Sequence, residues 1–269
     1  MNTDFGIKFD FKGKTALVTG GSLGIGRETA LGLAKNGAQV VISARSDGGE
    51  ETASEIRKAG GEAIFLRSDI SSEKEVEQLV NETVRRYGKL DFAINNAGHS
   101  GVNGYIWEQT EENYDAVFNS NVRGAFFCMK HEIRVMRQSN GRNGRPYGRI
   151  VNVGTAAAYL GMARIGIYAA SKHALLGLTQ VAALELAADT DIRVNMVVPG
   201  SVQTHNYDIF TEGKEEAKKF MKAIHATKQV MGPHEVVPAI LFLCSDGANY
   251  SVGSPLHIDS GITTGIISQ

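Results

Sequence analysis

The strongest constraint on the fold is a regular alternation of short apolar runs with helix-like segments. The apolar runs lie at residues 15–19, 40–43, 63–66, 90–95, 149–153, 192–198 and 255–258. Most of them lack a polar face, which is typical of parallel strands that helices cover on both sides. The alternation therefore predicts an α/β chain with a doubly wound parallel sheet of about seven strands.

Helical segments are expected between these strands. They are predicted at residues 24–36, 49–59, 72–87, 110–137, 165–188, 214–228 and 235–244. No linker, internal repeat or change in composition divides the chain. We therefore expect residues 14–269 to form a single domain, preceded by an N-terminal extension at residues 1–13.

Composition argues against several classes of protein. The formal net charge of the 269-residue chain is −1, so no basic surplus suggests a nucleic-acid partner. No run of about 18 apolar residues occurs and the N-terminus lacks the apolar core of a signal peptide, so we expect no membrane span and a cytoplasmic location. Cys128 and Cys244 lie in apolar runs and are expected to be buried hydrophobic residues, without a disulfide or a metal site.

The turn after the first predicted strand is rich in glycine. It reads Thr19-Gly20-Gly21-Ser22-Leu23-Gly24-Ile25-Gly26. Glycines at such a turn let the backbone approach a pyrophosphate, and the N-terminus of the next helix supplies amide donors. The spacing on its own also fits a tight turn without a ligand.

A tyrosine and a lysine lie four residues apart at Tyr168 and Lys172. On a helix this spacing puts both side chains on one face. A free tyrosine has a pKa near ~10, and a nearby ammonium group lowers it by favouring the phenolate. The pair is therefore a candidate general acid/base for an oxygen atom, although the same spacing also arises by chance.

Taken together, the motifs point to one family. Those that carry the resemblance are residues 19–26, Asn95-Asn96-Ala97-Gly98, Asn121, Tyr168 to Lys172, and Pro199-Gly200. In this order and context they resemble the short-chain dehydrogenases/reductases, in their compact single-domain branch, over roughly residues 12–262. The resemblance implies a Rossmann-type sheet and a nicotinamide-dependent interconversion of a ketone and a secondary alcohol.

The resemblance also implies four catalytic residues. Tyr168 would pass a proton to or from the substrate oxygen, and Lys172 would lower the pKa of Tyr168 and bind the nicotinamide ribose. Asn121 would support a water that relays protons to Lys172; the alternative is a polar residue that only kinks its helix. Thr155 stands thirteen residues before the tyrosine, where the family usually has serine. Its hydroxyl is expected to hold the substrate oxygen, and its added methyl group to narrow the pocket; the alternative is that Thr155 only packs.

The residues that the resemblance places around the cofactor are Gly20, Ser22, Leu23, Gly24, Ile25, Gly26, Arg45, Ser46, Asp69, Ile70, Asn96, Ala97, Gly98, Tyr168, Lys172, Pro199, Gly200, Val202 and Thr204. Asp69 matches the acidic residue that meets the adenine, or it begins the next helix. One segment departs from the family: Ile258-Asp259-Ser260-Gly261 stands where Asp-Gly-Gly is usual, which leaves the local backbone open.

Cofactor choice can be argued from the end of the second strand, which reads Ser43-Ala44-Arg45-Ser46. NAD sites normally have an acidic residue here for the ribose hydroxyls. There is none at Ala44, whereas Arg45 can pair with a 2′-phosphate. Asp47 follows and is expected to cap the next helix. We therefore expect NADP(H), unless Arg45 is only a solvated surface charge.

The substrate is expected to be a small carbonyl or alcohol compound, and the aromatic pocket candidates weakly favour one with a ring. These candidates are His99, Tyr105, Trp107, Tyr159, Met162, His205, Tyr207 and Phe210. The helices at residues 111–137 and 165–188 resemble those that pair between subunits in the family, which implies a homotetramer, or at least a dimer.

Two other functions stay open. A 3-oxoacyl thioester (acyl-carrier-protein) reductase would need basic residues at the cleft rim, for which Arg123, Lys130 and Arg164 are candidates. A cofactor-sensing protein without catalysis would be expected to have lost Tyr168 or Lys172.

Overall fold

All seven strands lie parallel in one sheet. The computed structural model describes residues 8–139, 141 and 144–265. The strands are β1 (Thr15–Thr19), β2 (Gln39–Ala44), β3 (Glu62–Arg67), β4 (Phe92–Asn95), β5 (Tyr147–Val153), β6 (Asp191–Pro199) and β7 (Pro255–Ile258). Their order in the sheet is β3-β2-β1-β4-β5-β6-β7. The predicted doubly wound, Rossmann-type sheet is confirmed.

Helices cover both faces of the sheet. They are α1 (Gly24–Lys35), α2 (Gly48–Lys58), α3 (Glu73–Tyr87), α4 (Glu111–Phe118), α5 (Ala125–Met136), α6 (Gly166–Ala187), α7 (His205–Thr211), α8 (Glu215–Ala223) and α9 (Val237–Cys244). One apolar core joins α1, α2 and α9 to one face, and a second joins α3, α5 and α6 to the other. Across the described ranges, no helix is long and apolar enough to cross a membrane.

Strand β1 contributes to both cores. Ala16 and Val18 pack with the first and Leu17 with the second, because successive side chains of a strand point to opposite faces. β1 pairs with β2 on one side and β4 on the other, so the strand order reverses there. Ligands of open α/β sheets bind at the carboxyl ends of the strands beside such a reversal.

The N-terminal extension is described only from residue 8 onward. Phe9 stacks on Phe11 with ring centroids 5.7 Å apart, and Phe11 packs edge-on against Phe92 of β4 at 5.0 Å. The described part of the extension therefore packs against the sheet rather than projecting from it.

The segment predicted as one helix at residues 110–137 is helical from Glu111 to Met136, but its winding changes in the middle. A π-helical segment, Asn119–Gly124, separates α4 from α5. A π turn is wider than an α turn and occurs often at functional sites. Asn121 is buried within it. The segment reads Asn119-Ser120-Asn121-Val122-Arg123-Gly124, and its polar residues fit an exposed helix turn as well as a change in winding.

The segment that departs from the family pattern has a well-defined backbone. Ser260 has φ of 54° and Gly261 of 81°, the left-handed region that favours glycine. The Asp259 carboxylate accepts hydrogen bonds from the backbone amides of Gly261 at 2.9 Å and Thr263 at 3.1 Å. Ser260 therefore adopts the conformation that glycine would adopt more easily.

One carboxyl group lies deep in the core. Glu132 of α5 is fully buried, and its Oε2 accepts a hydrogen bond of 3.0 Å from Asn95. Among the described residues, Glu132 Oε1 and Asn95 Oδ1 have no hydrogen-bond partner. Burial raises the pKa of Glu132 to about 7, although the bond from Asn95 acts in the opposite direction.

This burial predicts a pH-dependent stability. Because the folded-state pKa of Glu132 is above its unfolded value, its contribution is fully present below about pH 4.5 and is lost as the pH rises to about 7. Glu132→Gln cannot ionise, and its new amide can donate to Asn95. Urea unfolding should show that the free energy of unfolding of Glu132→Gln rises relative to that of the wild type between pH 5 and pH 8, by up to about 3 kcal/mol. Glu51→Gln, at an exposed residue of α2, is the control. The prediction would be contradicted if the difference in free energy of unfolding between Glu132→Gln and the wild type were equal at pH 5 and pH 8.

Candidate active site

A cleft of about 900 Å³ opens at the carboxyl ends of the strands. Of the residues that the sequence places around a cofactor, those that line it are Gly20, Ser22, Leu23, Gly24, Ile25, Arg45, Ser46, Asp69, Ile70, Asn96, Ala97, Gly98, Tyr168, Lys172, Pro199, Gly200, Val202 and Thr204. The loops after β1, β2, β3, β4, β5 and β6 therefore converge on one cavity, as the sheet topology requires.

The glycine-rich turn is held by packing and by one amide side chain. Gly20 and Gly24 have φ of 65° and 57°. Asn96 Nδ2 donates to the carbonyl oxygens of Thr19 at 3.1 Å and Gly20 at 3.0 Å. A Cβ atom on Gly26 would lie 2.3 Å from the Gly20 oxygen. Gly26 thus packs behind the turn and does not line the cleft, and its part in cofactor binding stays a prediction.

The cleft fits a dinucleotide. The glycine turn leads into the N-terminus of α1, which suits a pyrophosphate.

Sequence reasoning missed Ser43 and Ser68, at the carboxyl ends of β2 and β3. Both line the cleft, and their buried hydroxyls have no hydrogen-bond partner in the described chain. The signal that could have identified them is a polar residue at the end of an apolar strand.

Tyr168, Lys172 and Thr155 meet at one wall of the cleft. Tyr168 and Lys172 are on the first turns of α6 and are 8% and 5% exposed. Lys172 Nζ donates to the Val153 carbonyl at 3.0 Å and lies 5.8 Å from the Tyr168 ring centroid. Thr155 follows β5, and its side chain lies close enough to the Tyr168 phenol to affect the pKa of that phenol. A phenol, a hydroxyl and an ammonium group are thereby gathered in a few ångströms of buried space.

Burial has the largest effect on the pKa values of Tyr168 and Lys172. It raises the pKa of Tyr168 to about 12, although the nearby Thr155 side chain acts in the opposite direction. It also lowers the pKa of Lys172 to about 8. Burial is the larger influence on the pKa of Tyr168, and the prediction that Lys172 lowers this pKa stays a prediction. At neutral pH Tyr168 is a protonated donor.

Asn121 acts behind the cleft wall. Its Oδ1 accepts from the backbone amide of His99 at 2.7 Å, and its Nδ2 donates to the His99 carbonyl at 2.9 Å and to Ser171 Oγ at 3.0 Å. A Cβ atom on Gly98 would lie 3.2 Å from Asn121 Oδ1 and 3.5 Å from Lys172 Nζ. Asn121 thus fixes the loop beside Lys172, and its part in a water relay stays a prediction.

A buried histidine that sequence reasoning missed supports the opposite wall. His225 is fully buried, its Nε2 accepts from the Ser201 amide at 3.0 Å, and its Nδ1 donates to the Met221 carbonyl at 2.6 Å. These partners assign a neutral ring with the proton on Nδ1. A Cβ atom on Gly200 would lie 2.7 Å from His225 Nε2. His225 therefore positions the Pro199-Gly200 segment.

The pocket candidates divide into two groups. The side chains that line the cleft are His99, Met162, His205, Tyr207 and Phe210, and the Phe210 ring packs edge-on against Tyr168 at 5.5 Å. The other three candidates do not line the cleft. Tyr105 and Trp107 stack on each other at 4.7 Å on the exposed surface, and Tyr159 packs against His257 at 4.7 Å.

Charged side chains lie at the end of the cleft that the loops after β2 and β3 form. The exposed Arg45 lines it, and so does Asp69, whose carboxylate accepts from the Ser71 amide at 2.9 Å. Asp47 makes no side-chain cap for α2 and pairs with Arg67 instead, so its predicted capping role is wrong. In the part of the chain that the structure describes, no group of three or more His, Cys, Asp or Glu side chains could hold a metal ion.

Comparison with known proteins gives consistent matches along the chain. A family model described as enoyl-(acyl carrier protein) reductase matches residues 20–263. The short chain dehydrogenase/reductase astE of Aspergillus oryzae is 35% identical, over 95% of this chain and 97% of that protein. The 2,5-dichloro-2,5-cyclohexadiene-1,4-diol dehydrogenase of Sphingobium indicum is 36% identical, over 94% of this chain and 98% of that protein.

A solved structure agrees with these matches. A putative NAD(P)-dependent gluconate 5-dehydrogenase from Beutenbergia cavernae, with bound NADP at low occupancy, superposes with a TM-score of 0.88. It is 30% identical and covers 96% of this chain and 100% of its own. The protein therefore belongs to the short-chain dehydrogenase/reductase family and is an oxidoreductase that acts on alcohol or ketone groups with a nicotinamide cofactor.

Proposed function

We propose that the protein is an NADP(H)-dependent enzyme that interconverts a ketone and a secondary alcohol, with Tyr168 as the general acid/base. The observation that carries the proposal is the buried Tyr168 phenol on the cleft wall, in contact with Thr155 and beside Lys172. The cofactor, when bound, gives or takes the hydride. The protein must then supply or accept one proton at the substrate oxygen.

The side chains divide this work by their chemistry. Tyr168, protonated at neutral pH, donates to the oxygen as a carbonyl is reduced. The Thr155 hydroxyl holds that oxygen beside the phenol, as a positioned donor does in other active sites. The Lys172 ammonium, fixed by the Val153 carbonyl, favours the phenolate that remains. The apolar ring of Phe210 against Tyr168 keeps water away from the proton.

The first test is Tyr168→Phe, which removes the transferable proton and keeps the ring. We expect turnover of a good ketone to fall about 10²–10⁴-fold, with NADPH binding unchanged by fluorescence titration. Thr155→Ser, which keeps the second hydroxyl, is the matched control and should retain most activity. Wild-type turnover by Tyr168→Phe would refute the assignment.

NADP(H) is proposed because Arg45 lines the cleft just after β2 and no carboxylate stands at Ala44. A guanidinium there suits a 2′-phosphate. The Beutenbergia structure holds NADP, which agrees with this choice.

Arg45→Asp replaces the guanidinium by a carboxylate and should lower the preference for NADPH over NADH at least ~10-fold, because a charge-assisted contact is lost and a repulsion added. Initial rates and dissociation constants for both cofactors measure the effect. An unchanged preference would mean that Arg45 does not read the phosphate.

The 3-oxoacyl thioester alternative has weaker support, although the family model's description names another reductase of acyl-carrier-protein substrates, one that acts on enoyl groups. Its three basic candidates are already engaged: Lys130 pairs with Glu73, Arg164 pairs with Glu212, and Arg123 lies over the Phe127 ring. A small-molecule ketone or alcohol is favoured on that ground. A purely sensing role is disfavoured because Tyr168 and Lys172 are both in place.

We also propose that the protein is cytoplasmic and forms a homotetramer, or at least a dimer. Phe126 on α5 and Val181 and Leu184 on α6 are 46%, 54% and 73% exposed, and large exposed apolar side chains on two neighbouring helices suit contact with a second copy. Light scattering at micromolar concentration should give a mass well above the 28.9 kDa of one chain. A monomer would contradict the proposal.

A further inference from the structure

The short turn that follows β2 is held by an arginine from the neighbouring strand. Arg67 is the last residue of β3 and pairs in register with Ala44, the last residue of β2. One Nη of Arg67 donates to the Arg45 carbonyl oxygen, and the other pairs with the Asp47 carboxylate. A single guanidinium therefore ties both ends of the three-residue turn Arg45-Ser46-Asp47.

The two faces of this turn differ. Arg45 and Ser46 line the cleft, and so do Ser68 and Asp69, which follow Arg67 along the chain. Arg67 and Asp47 do not line it, and their side chains are 56% and 85% exposed. The ion pair therefore lies on the outer side of the turn, away from the cavity.

Asp47 is the first carboxylate after β2 and so the nearest in sequence to the cofactor end of that strand. It stands at the N-cap position of α2 but makes no side-chain cap. Gly48 and Gly49 follow it as the first two residues of α2, so the carboxylate stands on the last residue before the helix. Arg67 is the partner that the structure shows for this carboxylate.

We propose that Arg67 is a positioning residue for cofactor selectivity, which keeps the Asp47 carboxylate and the Arg45 backbone on the outer side of the turn. The site then presents a cation, and no carboxylate from the turn, to a nucleotide with a phosphate on its ribose 2′-oxygen. This inference rests on the NADP(H) preference proposed above.

Loss of the Arg67 side chain should weaken the binding of a 2′-phosphate in two ways. It removes a positive charge from the turn and frees a negative one, and both changes oppose a 2′-phosphate. An exposed ion pair adds little to folding stability, so the fold should persist. The preference for a nucleotide with a 2′-phosphate over one without should fall about 5- to 20-fold at low ionic strength. This effect should become smaller as added salt screens the charges.

Binding of nucleotide fragments tests this without turnover. Calorimetry with adenosine 2′,5′-bisphosphate and with adenosine 5′-monophosphate gives a ratio of dissociation constants that isolates the 2′-phosphate. We expect Arg67→Gln to lower the preference by that 5- to 20-fold factor. Asp47→Asn should restore it strongly in the Arg67→Gln background and change it much less in the wild type, because there Arg67 already neutralises the carboxylate.

Arg57→Gln is the matched control. Arg57 also donates to a backbone carbonyl, that of Ala63 at 3.0 Å, and pairs with a carboxylate, that of Glu50. It lies at the far end of α2, opposite the start of β3, so its loss removes the same charge away from the cleft. The ratio should change less than twofold. Arg67→Lys, which keeps the charge but has no fork to span the turn, should give an intermediate ratio and replaces Arg67→Gln if that variant does not fold.

Two results would overturn the inference: an unchanged ratio in the Arg67 variants, or Asp47→Asn acting by the same factor in both backgrounds, which would indicate net charge alone. A wild-type ratio near one would instead overturn the NADP(H) proposal, and the inference with it. The two failures are distinguished by the wild-type measurement.

Discussion

The burial of two polar side chains at the start of α6 is the constraint on which the site depends. Tyr168 and Lys172 lie at the carboxyl ends of the strands and are almost fully buried. Apolar side chains pack around Tyr168. Removal from water disfavours both charged forms, so the phenol keeps its proton more firmly and the ammonium less firmly than in solution. The hydrogen bond from Lys172 to Val153 and the contact of Thr155 with Tyr168 hold the pair in one arrangement. The chemistry assigned to the site follows from this balance.

Much of this architecture could be predicted from the sequence, because it depends on local patterns. Apolar runs without a polar face gave the seven strands, and their carboxyl ends gave the position of the cleft. The turn at residues 19–26 signals its conformation through glycine, which alone adopts it without strain. Tyr168 and Lys172 are found by their spacing on one helix. Each of these signals lies within one element or one turn.

What could not be predicted depends on contacts between distant segments. The π-helical segment Asn119–Gly124 has a mostly polar sequence that an exposed α-helical turn could also have. His225 is a lone histidine in a charged region, and only the fold brings it to the Ser201 amide. The raised pKa of Tyr168 needs the depth of burial, which the spacing to Lys172 does not reveal. Likewise, Asp47 looks like a helix cap until the sheet register brings Arg67 beside it.

The most direct measurement of the account is the titration of Tyr168 itself. The ultraviolet difference spectrum between the wild type and a variant that lacks this phenol reports the ionisation of Tyr168 alone as the pH is raised. With a pKa raised by burial to about 12, Tyr168 should show no phenolate signal up to about pH 10.5, above the midpoint of a free tyrosine. A phenolate that forms at or below pH ~10 would contradict the account, since Lys172 would then outweigh burial and Tyr168 would not be held as a protonated donor.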